Sequence, residues 1–226
     1  MFSLPDFDVR LPLLAKALIP AMFGIVCHEV AHGWTAYKLG DNTAKFLGRL
    51  TLNPTRHFDA SGVGFFVFTT LFTPFIFGWA KPVPVRPQFF NNPRQGMMLV
   101  SVAGPLANFM VAMICALLAK ALLEMMLAGV GFGVGVMSVL IESALIGVMV
   151  NISLAWFNLL PIPPLDGSHI LEGLLPRPLA AAYASLGRYG MMILVLLLMT
   201  GIFAKVLMPL ISGTRSLVFQ LVGLHI

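Results

Sequence analysis

The sequence predicts an all-α polytopic membrane protein, a single domain over 1–226 with about four transmembrane helices plus a re-entrant or short β element. Three observations carry that reading. Hydrophobic residues make up 58% of the 226 residues and charged residues only 10%, against about 25% charged in a soluble domain. Mean hydropathy is +0.92, which is more apolar side chain than a water-soluble fold of this size can hide. Apolar runs of membrane-spanning length also recur along the chain, separated by short loops that hold most of the charge.

A hydrocarbon core about 30 Å thick takes about 20 residues of helix. Four segments reach that length: 11–38, 97–119, 137–160 and 189–210. A fifth apolar stretch, 62–80, holds Phe65, Phe66, Phe68, Phe72, Phe75 and Phe77 but is interrupted by Gly64, Pro74 and Gly78. Lys38, Lys45, Arg49 and Arg56 follow the first helix, and Lys81, Arg86 and Arg94 follow the Phe-rich stretch. The positive-inside rule puts both loops on the cytoplasmic side. The Phe-rich stretch is therefore expected to enter the bilayer and return. The glycine-rich loop 129–135 lacks Lys and Arg and fits the outer face, while Arg177 and Arg188 bring the chain back inside, leaving both termini outside. Segments 46–53 and 79–87 read as extended. In the second, Pro82, Pro84 and Pro87 exclude helix and suit an edge strand or a polyproline-like run.

The formal charge of +5 does not point to nucleic acid. The basic residues sit singly in loops, where lipid headgroups attract them and where they set topology. The bilayer is the expected partner. Cys27 and Cys115 are the only cysteines, which excludes a disulfide framework and a four-cysteine metal site. Asp6 and Asp8 do not fit the layout of a cleaved signal peptide, so the first apolar segment reads as a retained helix.

The chemistry centres on His28-Glu29-Val30-Ala31-His32. Residues four apart on a helix differ by about 40° in heading, so both imidazoles project from one face and can grip one ion. Glu29 falls beside them, placed to take a proton from water at the metal. Residues 17–27 lead into this motif without a polar interruption. Ionisable side chains at such depth cost about 3 kcal/mol each, and a divalent cation compensates three of them better than a structural histidine cluster would.

A catalytic zinc needs a third protein ligand and an open position. The candidates are Asp41, Asp59, Glu124, Glu142, Asp166, Glu172, His57, His169 and His225. Asp166 stands out, because it follows a helix end broken by Pro161, Pro163 and Pro164 and precedes Gly167. From His28 to Lys38 is roughly 15 Å of helix, and the broken chain can lower Asp166 to that depth. A plain Asp-Gly turn and ligation by His169 stay open at this point.

Four stretches together resemble the site-2 protease family of intramembrane zinc metalloproteases, in its short form without a PDZ or CBS domain. They are HEVAHG at 28–33, GWAKPVPV at 78–85, AGPLANF at 103–109 and NLLPIPPLDG at 158–167, in the family's order. The resemblance implies hydrolysis of peptide bonds within or near the transmembrane segments of a membrane protein or peptide. It implies one zinc per chain on His28, His32 and Asp166, with Glu29 as the catalytic glutamate. It also implies that Asn158 lies near the zinc and helps to bind the substrate carbonyl or oxyanion; read alone, Asn158 is a helix-terminal amide bonding to backbone. Gly104 and Pro105 match a family kink, with Asn108 just after it, and all three read first as packing residues. The extended runs 49–53 and 81–85 offer an edge for an unwound substrate strand. Larger members carry a further helix before the motif helix, a difference that bears on substrate gating and not on the zinc chemistry. The compact, loop-poor chain suggests a multi-pass protein of a prokaryotic cytoplasmic membrane, with its site nearer the cytoplasmic side.

Three other readings compete. A metal-ion transporter also shows broken helices and midplane charges, though it needs no glutamate beside two ligand histidines. A catalytically inactive scaffold has no use for a buried charge set. Other membrane zinc proteases take a glutamate as third ligand, which here would be Glu142 or Glu172.

Overall fold

The computed structural model describes residues 6–72 and 81–224, the side chains of Phe203 and Ala204 excepted. The end of the Phe-rich stretch, with Gly78 and Trp79, and the candidate ligand His225 lie outside the described residues.

The first helix, α1 (Phe7–Lys38), carries the HEVAH motif in its last third. The short helix α2 (Thr43–Phe46) and α3 (Ala60–Phe72) follow. The long helix α4 (Pro93–Leu127) starts with Pro93 at its first position, and the Asn92 side chain accepts a hydrogen bond from Gln95 N. That is the amide cap and fixed φ a helix start favours. It ends at Leu127, and Gly129 beyond the cap has a φ of 69° that suits only glycine without strain. Helix α5 (Val134–Asn158) returns, and after the proline-broken run come α6 (Asp166–Leu174), α7 (Arg177–Ala184), α8 (Gly190–Thr200) and α9 (Ile202–Val222).

Four helical stretches are long and apolar enough to cross a membrane: Phe7–Lys38, Pro93–Leu127, Val134–Asn158 and Arg177–Thr200. The protein is thus an all-α, multi-pass membrane protein. The fourth differs from the expected 189–210. Gly201 has φ of 70° and separates α8 from α9, so the apolar run is two helices and α9 packs on α5 and α4. Trp156 on α5 donates to Thr214 Oγ1 on α9 at 2.9 Å.

Helices α1, α4 and α5 form the bundle that holds the site. Lys16 pairs with Glu142 at 2.5 Å, and one turn further a Cβ on Gly147 would lie 3.1 Å from Pro20. Gly24 then faces Asn151, so α1 and α5 run parallel. His32 meets Val100 and His28 meets Asn108, so α4 runs antiparallel to both. Small residues let these backbones approach, as in membrane bundles generally. A Cβ on Gly24 would sit 2.2 Å from Asn151 Oδ1.

The extended run 81–86 is not a strand, and among the described residues there is none. Segment 46–53 likewise forms the end of α2 and turns, with Gly48 at φ 63°. Prolines at 82, 84 and 87 remove the donors a ladder needs, and three of the remaining N–H groups find other partners. Lys81 N donates to His57 O at 2.8 Å, Val83 N to Glu29 Oε2 at 2.7 Å, and Arg86 N to Asp41 Oδ2 at 2.6 Å. The Arg49 guanidinium, itself buried, donates to Lys81 O at 2.6 Å. Burial opposes the charged form of Asp41, but hydrogen bonds from Thr43 and Arg86 outweigh it and hold the carboxyl below the ordinary aspartate range. Asp41 is therefore an ionised anchor at neutral pH.

The contact between Lys81 N and His57 O also shows that the chain leaving at His57 is back beside it at Lys81. In between, α3 lies along α1: Arg10 Nη1 donates to Thr70 O at 2.9 Å, and the Phe7 and Phe72 rings meet edge to face.

Candidate metal centre

Helical spacing brings His28 and His32 onto one face of α1, with ring centroids 4.5 Å apart. The α4 backbone comes up against them at Gly104, where a Cβ would lie 2.5 Å from His32 Cε1 and 2.6 Å from His28 Cε1. Only a residue without a side chain permits that approach. We predict that Gly104→Ala weakens zinc binding at least about tenfold. Titration against a chromogenic chelator measures this, with Gly64→Ala, whose Cβ meets nothing within 4 Å, as the silent control.

Asp166 arrives from the other side of the chain as the first residue of α6. Gly167 lets this happen, since a Cβ there would lie 2.2 Å from Leu159 O and 2.4 Å from Leu160 O. The far end of α6 is held by Arg94 of α4, which donates through Nε to Glu172 O at 2.9 Å and through Nη2 to Leu175 O. Asp166 Oδ2 then lies 3.1 Å from His28 Nε2, and Oδ1 lies 3.3 Å from His32 Nε2. The two Nε2 atoms are 2.9 Å apart.

The outer nitrogens determine what those inner atoms are. His32 Nδ1 is 2.7 Å from Val100 O, a carbonyl that can only accept, so Nδ1 carries the proton. His28 Nδ1 is 2.7 Å from Asn108 Oδ1. The Asn108 amide is oriented by Gly24 O, which takes its Nδ2–H at 3.1 Å, so its oxygen faces His28 and that Nδ1 is protonated too. Neutral imidazole holds one proton, so both Nε2 atoms present bare lone pairs. They face a carboxylate, and Asp166 Oδ2 is buried without a hydrogen-bond donor. With both imidazoles neutral, two nitrogen lone pairs and a carboxylate converge, a donor set suited to a divalent cation. Zinc at about 2.0–2.1 Å in tetrahedral geometry sets its ligand atoms roughly 3.3 Å apart, close to the separations observed. The donor set fits zinc.

Among the described residues this is the group of three whose ligand atoms all lie within 4.8 Å of one another. The other candidates are placed elsewhere. Glu142 pairs with Lys16, and His169 lies 3.6 Å from Glu172. His57 bonds through Nε2 to Thr51 O, Glu124 pairs with Lys120, and Asp59 accepts from Ser61 Oγ. Glu29 Oε2 accepts from Val83 N–H. Asn158 donates through Nδ2 to Leu154 O at 3.0 Å, one turn back on its own helix. Asn108, expected to be a packing residue, touches a histidine of the site directly. Asn151 carried no motif at all. A buried amide in an otherwise apolar membrane helix needs partners, and that was the available signal.

Four apolar helical stretches and a convergent His-His-Asp group together describe a membrane protein with a candidate metal site. The sequence model of peptidase family M50 matches residues 16–198, and the chain belongs to that family. The chain is 38% identical to YwhC of Bacillus subtilis over 215 residues, covering 93% of this chain and 92% of that one. It is 29% identical to Rip2 of Mycolicibacterium smegmatis over 180 residues, 79% of this chain and 64% of that protein. Rip2 of Mycobacterium tuberculosis strain H37Rv is 30% identical over 183 residues, 78% of this chain and 63% of that protein. All three bear the name of zinc metalloproteases. No solved structure matches the chain significantly. The matched span contains His28, His32 and Asp166 and stops before α9. Membership of a peptidase family favours neither the transporter nor the scaffold reading.

Proposed function

We propose that His28, His32 and Asp166 hold the zinc ion and that Glu29 carries the proton in a peptide-bond hydrolysis performed inside the bilayer. As a member of family M50 the chain is a zinc metalloprotease of the membrane that acts on membrane-embedded substrates. One observation carries the residue assignment: one ligand atom each from His28, His32 and Asp166 converge within 4.8 Å of one another, and Glu29 adjoins His28 on the apolar helix α1.

Zinc, when bound, activates water for attack and stabilises the negative charge that develops on the scissile carbonyl oxygen. Glu29 takes the proton that water releases as it adds to the carbonyl carbon, and returns it to the amide nitrogen as the C–N bond breaks. Val83 N–H holds Glu29 Oε2, which fixes the carboxylate and leaves Oε1 to handle the proton. Asn158 is assigned to the substrate carbonyl. An amide has two N–H donors, and Leu154 O takes one. A substrate helix hides its carbonyls in its own hydrogen bonds, so it must unwind before attack.

Three of the four N–H groups in 81–86 are engaged within the chain. This favours a role for the segment in positioning Glu29 over one as an open edge for a substrate strand. Val83→Pro deletes the donor to Glu29. A hydrogen bond to a charged group is worth about 1.5–3 kcal/mol, so cleavage is expected to fall at least about tenfold with zinc content unchanged. Unchanged cleavage rates would refute this role for the strap.

The loop charges support a site nearer the cytoplasmic side. Lys38, Lys45, Arg56, Lys81, Arg86 and Arg94 gather at the motif end of the bundle, although Arg49 is buried on the strap and adds little to the surface charge. The return of the chain at Lys81 to His57 supports a re-entrant reading of 62–80, and the helices packed around one centre support reading 1–226 as one domain. The bacterial relatives support a prokaryotic cytoplasmic membrane. Function as a whole is tested by chelation. Removing zinc from the purified protease in detergent should abolish cleavage of a transmembrane substrate, and adding back zinc should restore it. Cleavage that persists in the metal-free protein refutes the proposal.

A further inference from the structure

We infer that Asn151, on a helix that contributes no metal ligand, is a positioning residue that sets the proton on His28 through Asn108. The inference rests on the zinc reading above and deepens it. Both amides are wholly buried. Asn151 Nδ2 donates to Gly147 O at 2.9 Å, Asn108 Nδ2 donates to Asn151 Oδ1 at 3.0 Å and to Gly24 O at 3.1 Å, and Asn108 Oδ1 faces His28 Nδ1 at 2.7 Å.

The direction of this chain follows from its ends. Gly147 O and Gly24 O are backbone carbonyls and can only accept, so each amide must turn its NH2 towards them. Asn151 then presents its oxygen to Asn108, and Asn108 presents its oxygen to His28. The imidazole has one arrangement left, with the proton on Nδ1 and the lone pair of Nε2 turned to the metal. A partner on the outer nitrogen that fixes tautomer and ring angle is a general requirement of metal-bound histidine. Here the partner is an amide, itself held by a second amide on α5. Three helices thus meet in one polar chain, and Gly24 is open because a side chain there would collide with Asn151. His32 obtains the same result from Val100 O without a relay, so the two histidines are set independently.

The test is zinc affinity by chelator competition, with 15N-histidine NMR of the metal-free wild-type protein as a second readout. Asn151→Leu, close in volume, is expected to weaken zinc about 10–100-fold. Asn108→Leu should weaken zinc as well, and the double Leu variant should be no worse than Asn108→Leu alone, because both act through one chain. Cobalt in place of zinc should show an altered visible spectrum in Asn151→Leu. NMR should find the His28 proton on Nδ1. Wild-type affinity and an unchanged cobalt spectrum in Asn151→Leu would overturn the inference, as would a His28 proton on Nε2 should that variant fail to fold. A wild-type protein that binds no zinc would instead overturn the metal reading beneath it.

Discussion

Glu29→Gln is expected to retain one zinc per chain and to lose cleavage by about 10²–10⁴-fold, the usual contribution of a general acid–base group. The prediction separates two jobs that the motif places side by side. His28 and His32 offer bare nitrogens to the metal whatever stands between them. Glutamine at 29 keeps an oxygen that can accept from Val83 N–H, so the strap should stay in place. What it loses is the ability to take a proton. Single-turnover cleavage of a transmembrane peptide in detergent, with metal content measured on the same sample, reads both quantities. If the variant cleaved at the wild-type rate, another group would be the base. If it lost its zinc, Glu29 would belong to the metal site itself.

Asp166→Asn should remove the metal. The carboxylate supplies the only negative charge among the three converging side chains, and an amide is a far poorer ligand. Outer partners of metal ligands are worth about 10–100-fold in affinity, so loss of a ligand should exceed about 100-fold. Glu142→Gln and Glu172→Gln should bind zinc as wild type does, since one pairs with Lys16 and the other lies near His169 at a distance from the centre. Chelator competition on the three variants decides between them. A zinc loss confined to either glutamate variant would move the protein to the group of membrane zinc proteases with a glutamate ligand.

The motif, the apolar helices and Asp166 were legible because each rests on a local rule. Two histidines four apart share a helix face, a span of about 20 apolar residues fits the bilayer, and three prolines announce a broken helix ahead of Asp166. The parts that were not legible depend on contacts between distant segments. Asn108 read as packing because nothing in AGPLANF shows that α4 faces the motif helix at that height. Asn151 has no neighbour in sequence to mark it. Its partners lie on α4 and α1, and only the packing of three helices brings them together. Gly201 was hidden inside an apolar run, where a left-handed glycine can end one helix and begin another without any polar signal. The strap 81–86 read as an edge strand or a polyproline-like run because proline spacing describes extended chain but not who takes its hydrogen bonds. Asp41, Glu29 and His57 take them, and each is more than 20 residues away in sequence.

X-ray absorption at the zinc edge of the purified wild-type protein tests the central claim most directly, because it reports the ligand atoms themselves. The expected result is a shell of nitrogen and oxygen at about 2.0–2.1 Å with the outer scattering of two imidazoles and no sulfur. A sulfur shell at about 2.3 Å, drawing in Cys27 or Cys115, or a single imidazole, would contradict it.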